Sequence, residues 1–238
     1  MELKAAYIGL TAVVLMYLIL IGFKAINETS NEPVKQKLIL ILALISWQLI
    51  IYFISSTGIL KSYDFPPRIA LAFILPSFLF TGVFLSLNRN SHWINSIPEH
   101  WTIYFQSFRI VVETLFVFTV SQGLLNRQVT IEGYNFDMIV AITAPILAYL
   151  VYHKKVLSRS TVLLWNYVGL LVLSSVIFLF LTSIYWPEIY GSEVPLMPLE
   201  AFSYPYVLIA GFLMLIVVFL HIFSILQLTP KDRSTPSL

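Results

Sequence analysis

Cysteine is absent from the 238 residues, which excludes disulfides, thiolate metal sites and cysteine nucleophiles. Charge is nearly as scarce. Asp, Glu, Lys and Arg together make up 11% of the chain, against about 25% in soluble domains. HExxH, GxSxG, a glycine-rich phosphate loop and a Walker lysine are all missing, so no familiar hydrolase or nucleotide-binding pattern is present. There are four histidines, and His92, His100 and His153 lie in or beside connectors while His221 lies inside an apolar run. That distribution makes a three-histidine zinc site hard to assemble. The last apolar run holds no lysine, which removes a retinal Schiff base. Basic residues are scattered through short connectors, with no patch suited to nucleic acid.

What is present is apolar surface. Hydrophobic residues make up 58% of the chain and the mean hydropathy is +0.86. A bilayer core of about 30 Å needs about 20 apolar residues per helical crossing. Seven runs qualify, near 5–23, 38–60, 69–88, 102–125, 138–152, 161–186 and 206–227. The fifth is short, and Tyr134 and Phe136 are placed to extend it. The expectation is an all-α polytopic membrane protein with seven transmembrane helices in one domain, 1–228, followed by a short cytoplasmic tail, 229–238. The first run follows "MELK" with no small-residue cleavage site after it, so it reads as a retained helix.

Cytoplasmic connectors are enriched in Lys and Arg. The N-terminal tail and the 2–3, 4–5 and 6–7 connectors hold Lys4, Lys61, Arg68 and Arg127. The opposite set holds Lys24, Lys35, Lys37, Arg89, Lys154, Lys155, Arg159, Lys231 and Arg233. The bias predicts an outside N-terminus and an inside C-terminus. "TAVVLMYL" at 11–18 echoes "TAPILAYL" at 143–150, and Trp47-Gln48 echoes Trp165-Asn166. "DFPPR" and "FSYPY" each lead into the third run of their half. These echoes suggest two parallel sets of three helices around a linking fourth, a 3-1-3 plan of the kind transporters use.

The fourth run reads "YFQSFRIVVETLFVF" and carries Arg109 and Glu113 in otherwise apolar sequence. A charge at mid-membrane costs about 2.5–3.5 kcal/mol. The i, i+4 spacing puts both on one helix face and predicts that they pair. At a rise of 1.5 Å per residue, Arg109 and Glu113 fall about 10 and 16 Å from the inner end of their run. By the same rule His221, Asn166 and Gln48 fall about 9, 8 and 15 Å from the inner ends of theirs. Arg109, Glu113, His221, Asn166 and Gln48 are therefore expected to form one buried cluster that binds substrate or couples protons. The alternative is a structural pair that locks the fourth helix into the bundle.

"TIEGYNFDMIVAITAP" at 130–145 precedes and enters the fifth run. Glu132, Asn135 and Asp137 are assigned to the outer mouth, with Asn135 or Asp137 capping the helix and Gly133 allowing a tight turn. Pro76 and Pro145 are expected to loosen their helices.

"FRIVVE", "TIEGYNFDMIVAITAPILAYL" and "LSRSTVLLWNYVGL" together resemble a family of bacterial multi-pass membrane proteins that carries no known activity, over most of the chain from "FPPR" onward. The resemblance implies the bacterial cytoplasmic membrane. It also implies that Arg109, Glu113, Glu132, Gly133, Asn135, Asp137 and Asn166 form one signature. Size and plan are also similar to small carriers of the PQ-loop kind, although the Pro-Gln pair is absent. The function expected is a small-molecule or ion carrier in contact with the lipid bilayer, using no metal or cofactor and no nucleic acid. A membrane enzyme using Glu113 and His221 and a structural subunit of a membrane complex are the alternatives.

Overall fold

A computed structural model describes residues 2–229. Its regular structure is all helical, with no strand among the described residues. The helices are α1 (Glu2–Thr29), α2 (Pro33–Ser56), α3 (Ala70–Asn88), α4 (His92–Ser96), α5 (Glu99–Phe105), α6 (Phe108–Ser121), α7 (Asp137–His153), α8 (Arg159–Tyr185) and α9 (Ile209–Leu228). Among the described residues six stretches are long and apolar enough to cross a membrane: α1, α2, α3, the α5–α6 stretch, α8 and α9. The chain therefore has the character of a polytopic helical membrane protein. α7 is apolar but shorter. Of the tail expected at 229–238, residues 230–238 lie outside the described residues.

Two departures from regular helix shape the interior. The fourth run is not one helix. After Phe105 the backbone tightens to i→i+3 bonds, from Gln106 N–H to the Ile103 carbonyl and from Arg109 N–H to the Gln106 carbonyl, and α6 restarts at Phe108. The second departure is the π-turn: α3 and α9 both open with one, Ala70–Ile74 and Ile209–Leu213, and α7 closes with one, Tyr149–His153. The two opening π-turns pack against each other. The wide turn in α3 leads straight into Pro76, in the first turn of the α-helical portion, where a missing N–H costs least.

The helices close on one another through apolar contacts, with α8 on α9, α1 on α2, α6 on α7 and α1 on the short α4. Polar clasps hold the two ends. At one end Glu99 takes Arg159 and the Tyr152 hydroxyl, and the Gln227 amide donates to the carbonyls of Ile94 and Ile97. At the other, the Tyr63 hydroxyl donates to the Met197 carbonyl and the Tyr185 hydroxyl to that of Asp64. Tyr7 and Thr119 join α1 to α6 at 2.6 Å.

The connector 122–136 is the unusual element. It leaves α6 at its end, yet Asn135 bonds Glu113, eight residues earlier in α6. At 1.5 Å per residue Asn135 therefore lies about 12 Å down the helix. Irregular backbone at such depth must be satisfied within the protein. It is: the N–H groups of Gly133 and Asn135 donate to the Thr130 carbonyl, and that of Tyr134 to Gln128. Gly133 is required by this folding back, because a Cβ there would collide with the Gln128 backbone. Tyr134 and Phe136 consequently do not extend α7 as expected, since they belong to the descending connector and are exposed.

Candidate functional site

Arg109 follows directly on the break between α5 and α6 and is 1% exposed. A buried guanidinium must be matched in charge and hydrogen bonds, and here it is. Its Nε donates to Oδ2 of Asp137 at 2.8 Å, its Nη2 bonds Oδ1 of the same carboxylate, and its Nη1 stands 3.1 Å from Nε2 of His221.

One fact then orders the rest of the chain of bonds. Guanidinium nitrogens only donate, so Nε2 of His221 accepts and the ring carries its proton on Nδ1. Nδ1 donates to Oδ1 of Asn166 at 2.9 Å. The amide nitrogen of Asn166 donates in turn to Oγ of Ser224 and to the Val162 carbonyl, each at 2.9 Å. On the other side of Arg109, the backbone N–H of Asp137 donates to Oδ1 of Asn135 at 2.9 Å. That turns the Asn135 nitrogen toward Glu113, 3.1 Å from both carboxylate oxygens. The result is a line of seven buried side chains from Ser224 to Glu113, contributed by α6, α7, α8, α9 and the descending connector.

Packing holds the imidazole as tightly as the bonds do. The Trp165 ring lies 5.2 Å from that of His221, and its Nε1 is fixed by Oγ1 of Thr143 at 3.0 Å. One turn further along α8, Gly169 leaves no room: a Cβ would stand 2.6 Å from Nε2 of His221.

The structure brings Arg109, Glu113, His221 and Asn166 into this line and corrects other parts of the sequence reading. Arg109 and Glu113 do not pair with each other, and no ion pair joins them among the described residues. A carboxylate arriving end-on from Asp137 offers two parallel acceptors to the guanidinium fork, a geometry stronger than a single contact along one helix. Glu113 is left to the amide of Asn135. Asn135 and Asp137 are accordingly not mouth residues but deep ones, 1% and 6% exposed. Asn135 does keep one capping role, since it accepts the first N–H of α7. Glu132 stays at the surface in an exposed ion pair with Arg127, 2.6 Å apart. Gln48 makes no hydrogen bond to this line, and its Nε2 is buried without a partner among the described residues. The neighbouring Trp47 faces α9 and donates to the Gly211 carbonyl at 2.9 Å. Ser224, one helical turn after His221, went unrecognised in the sequence, where serine in an apolar helix carries no signal of its own.

Above the polar line lies a cavity of about 160 Å³. Its walls run from Ser62 and Arg68, in the connector between α2 and α3, and Tyr185, at the end of α8, down to Arg109, Glu113 and Asp137. Between those ends the lining is apolar, from Val112, Phe116, Leu173, Phe180, Leu213 and Val217 among others. No cluster of three or more metal-ligating side chains occurs among the described residues. Glu113 and His221 stand on opposite sides of Arg109 in the line and share no hydrogen bond.

Fold and site thus define a class, a polytopic helical membrane protein with an arginine–carboxylate group at the closed end of an apolar cavity. Comparison with known protein families, with curated proteins and with solved structures returns no match.

Proposed function

We propose that the protein is a carrier of a small molecule or ion, with its ligand site in the cavity above Arg109, Asp137 and Glu113. The observation that supports this is the cavity itself: charged side chains at membrane depth terminate it, and intramembrane ionisable groups that face a cavity mark ligand or ion pathways. A purely structural ion pair needs no such space. In this reading Glu113, Arg109 and Asp137 meet the ligand, and His221 and Asn166 hold Arg109 in place.

The reading includes seven crossings, with the N-terminus outside and the bacterial cytoplasmic membrane as the location, in keeping with the resemblance of "FRIVVE" and "EGYNFDMIV" to bacterial multi-pass proteins. α7 is about 26 Å long, and the descending connector above it fills the remaining thickness of a core of about 30 Å. α1–α3 and α7–α9 form the two halves of the 3-1-3 plan, with α5 and α6 as the link. The matched π-turns that open α3 and α9 support it, since such turns recur at functional positions.

The absence of cysteine makes the test clean. A single cysteine at Val112, on the cavity wall, is placed in proteoliposomes and exposed to a membrane-impermeant thiol reagent from one side at a time. A carrier exposes the site alternately, so labelling is expected from both sides. Labelling from one side only indicates a receptor-like pocket, and none from either side sinks the carrier reading.

A further inference from the structure

The cavity has a definite charge preference, which follows from the count of its closed end. We infer that its ligand is a lipophilic ammonium ion, an amine with an apolar body about the size of a benzene ring. This rests on the carrier reading only for the cavity being a ligand site.

Arg109 is formally +1, and the Asp137 carboxylate that grips it on two nitrogens is −1. His221 accepts at Nε2 and donates at Nδ1, so it carries no charge. Arg68, the other basic residue on the lining, is already bound at the mouth to Asp64 at 2.6 Å. Among the described residues Glu113 is left as the one carboxylate at the closed end with no ion-pair partner. It is 2% exposed, and among the described residues its sole hydrogen-bond partner is a single amide nitrogen spread between its two oxygens. A carboxylate has about four lone-pair sites, so acceptor capacity remains, and Glu113 lies on the cavity wall.

Charge balance then decides the ligand. A bound anion adds negative charge beside Asp137 whether Glu113 is protonated or ionised, at a site with little water to screen it, and an uncompensated buried charge is costly. An ammonium ion that binds as Glu113 gives up its proton to solvent leaves the closed end neutral and supplies up to three N–H donors to the open acceptors of the carboxylate. Arg109, the obvious anion-binding residue by sequence, is spent on Asp137. The remaining walls are apolar, and an apolar cavity of about 150 Å³ is known to take a benzene ring, which sets the size of the body.

The test uses the full chain in detergent and three probes of matched shape: 2-phenylethylammonium, 3-phenylpropionate and ethylbenzene. Thermal midpoints are followed against probe concentration for wild type, Glu113→Gln and Val217→Phe, each relative to its own ligand-free midpoint. Val217→Phe fills the cavity while leaving Glu113 in place. The ammonium probe is expected to raise the wild-type midpoint saturably, by about 5 °C, and to shift neither variant. An equal or larger shift with phenylpropionate overturns the inference. So does a shift with ethylbenzene as large as that with the amine, which points to a proton resident on Glu113, and so does an amine response retained in Glu113→Gln. No response to the amine in wild type also overturns it. The two readings fail separately. Amine binding with labelling of Val112→Cys from one side only ends the carrier reading and leaves the ligand class standing. Two-sided labelling without amine binding does the reverse.

Discussion

The Arg109 guanidinium and the Asp137 carboxylate are 28 positions apart in sequence and face each other through two parallel bonds, with Nε at 2.8 Å from Oδ2. This contact stitches the start of α7 to the start of α6 and holds the connector 122–136 down inside the bundle. Removing one partner of such a buried pair leaves an uncompensated charge, at a cost of about 3–5 kcal/mol. Asp137→Asn is therefore expected to lower the detergent melting midpoint severely or to abolish folded yield. Glu132→Gln removes an exposed ion pair of the same connector and should change stability by less than about 1 kcal/mol. Equal effects of the two substitutions would show that the depth assigned to Asp137 is wrong.

Gly169 and Gly9 predict opposite outcomes for the same substitution. A methyl at Gly169 collides with the His221 ring, and overpacking of this kind costs about 1–3 kcal/mol. A methyl at Gly9, in α1, meets nothing within 4 Å, and replacing a helical glycine by alanine favours the helix by about 0.5–1 kcal/mol. Thermal midpoints of Gly169→Ala and Gly9→Ala should move down and up respectively.

The ring of His221 should hold its proton on Nδ1, because Arg109 can only donate to Nε2. Nitrogen chemical shifts of the labelled histidine report this directly. A proton found on Nε2 would require the Arg109 contact to be broken and would undo the order of donors from His221 through Asn166 to Ser224.

Gln106 is 0% exposed, and neither its Nε2 nor its Oε1 meets a partner among the described residues. It stands at the break between α5 and α6, with its backbone engaged and its side chain unsatisfied. A buried amide without bonds costs about 1–3 kcal/mol. Gln106→Met keeps the volume and removes the polar atoms, so its melting midpoint should rise. A fall of several degrees would mean that the amide has a bonding role in the folded protein.

Much of this was written in composition. With 11% charged residues and long apolar runs, no water-soluble arrangement can bury the chain, and the helices follow because a bilayer satisfies no backbone group that the helix does not. The level of Arg109, His221 and Asn166 was also legible, since helical rise converts position to depth wherever the helix ends can be read. The partnerships were not legible. Arg109 and Glu113 share a helix face, but a shared face specifies only who may meet, and the better acceptor for a planar fork came from the first residue of α7, at the foot of a connector whose polar sequence resembles any surface loop. Asn135 and Asp137 looked like caps at the mouth because nothing local records that their connector turns back inward. Gln48 sits at a suitable height, yet the rotation of α2, set by packing of Trp47 against α9, keeps it out. Depth is a property of one helix and can be read along it. Which side chain faces which depends on how several helices rotate and where a loop re-enters, and those are settled only when all the surfaces pack together.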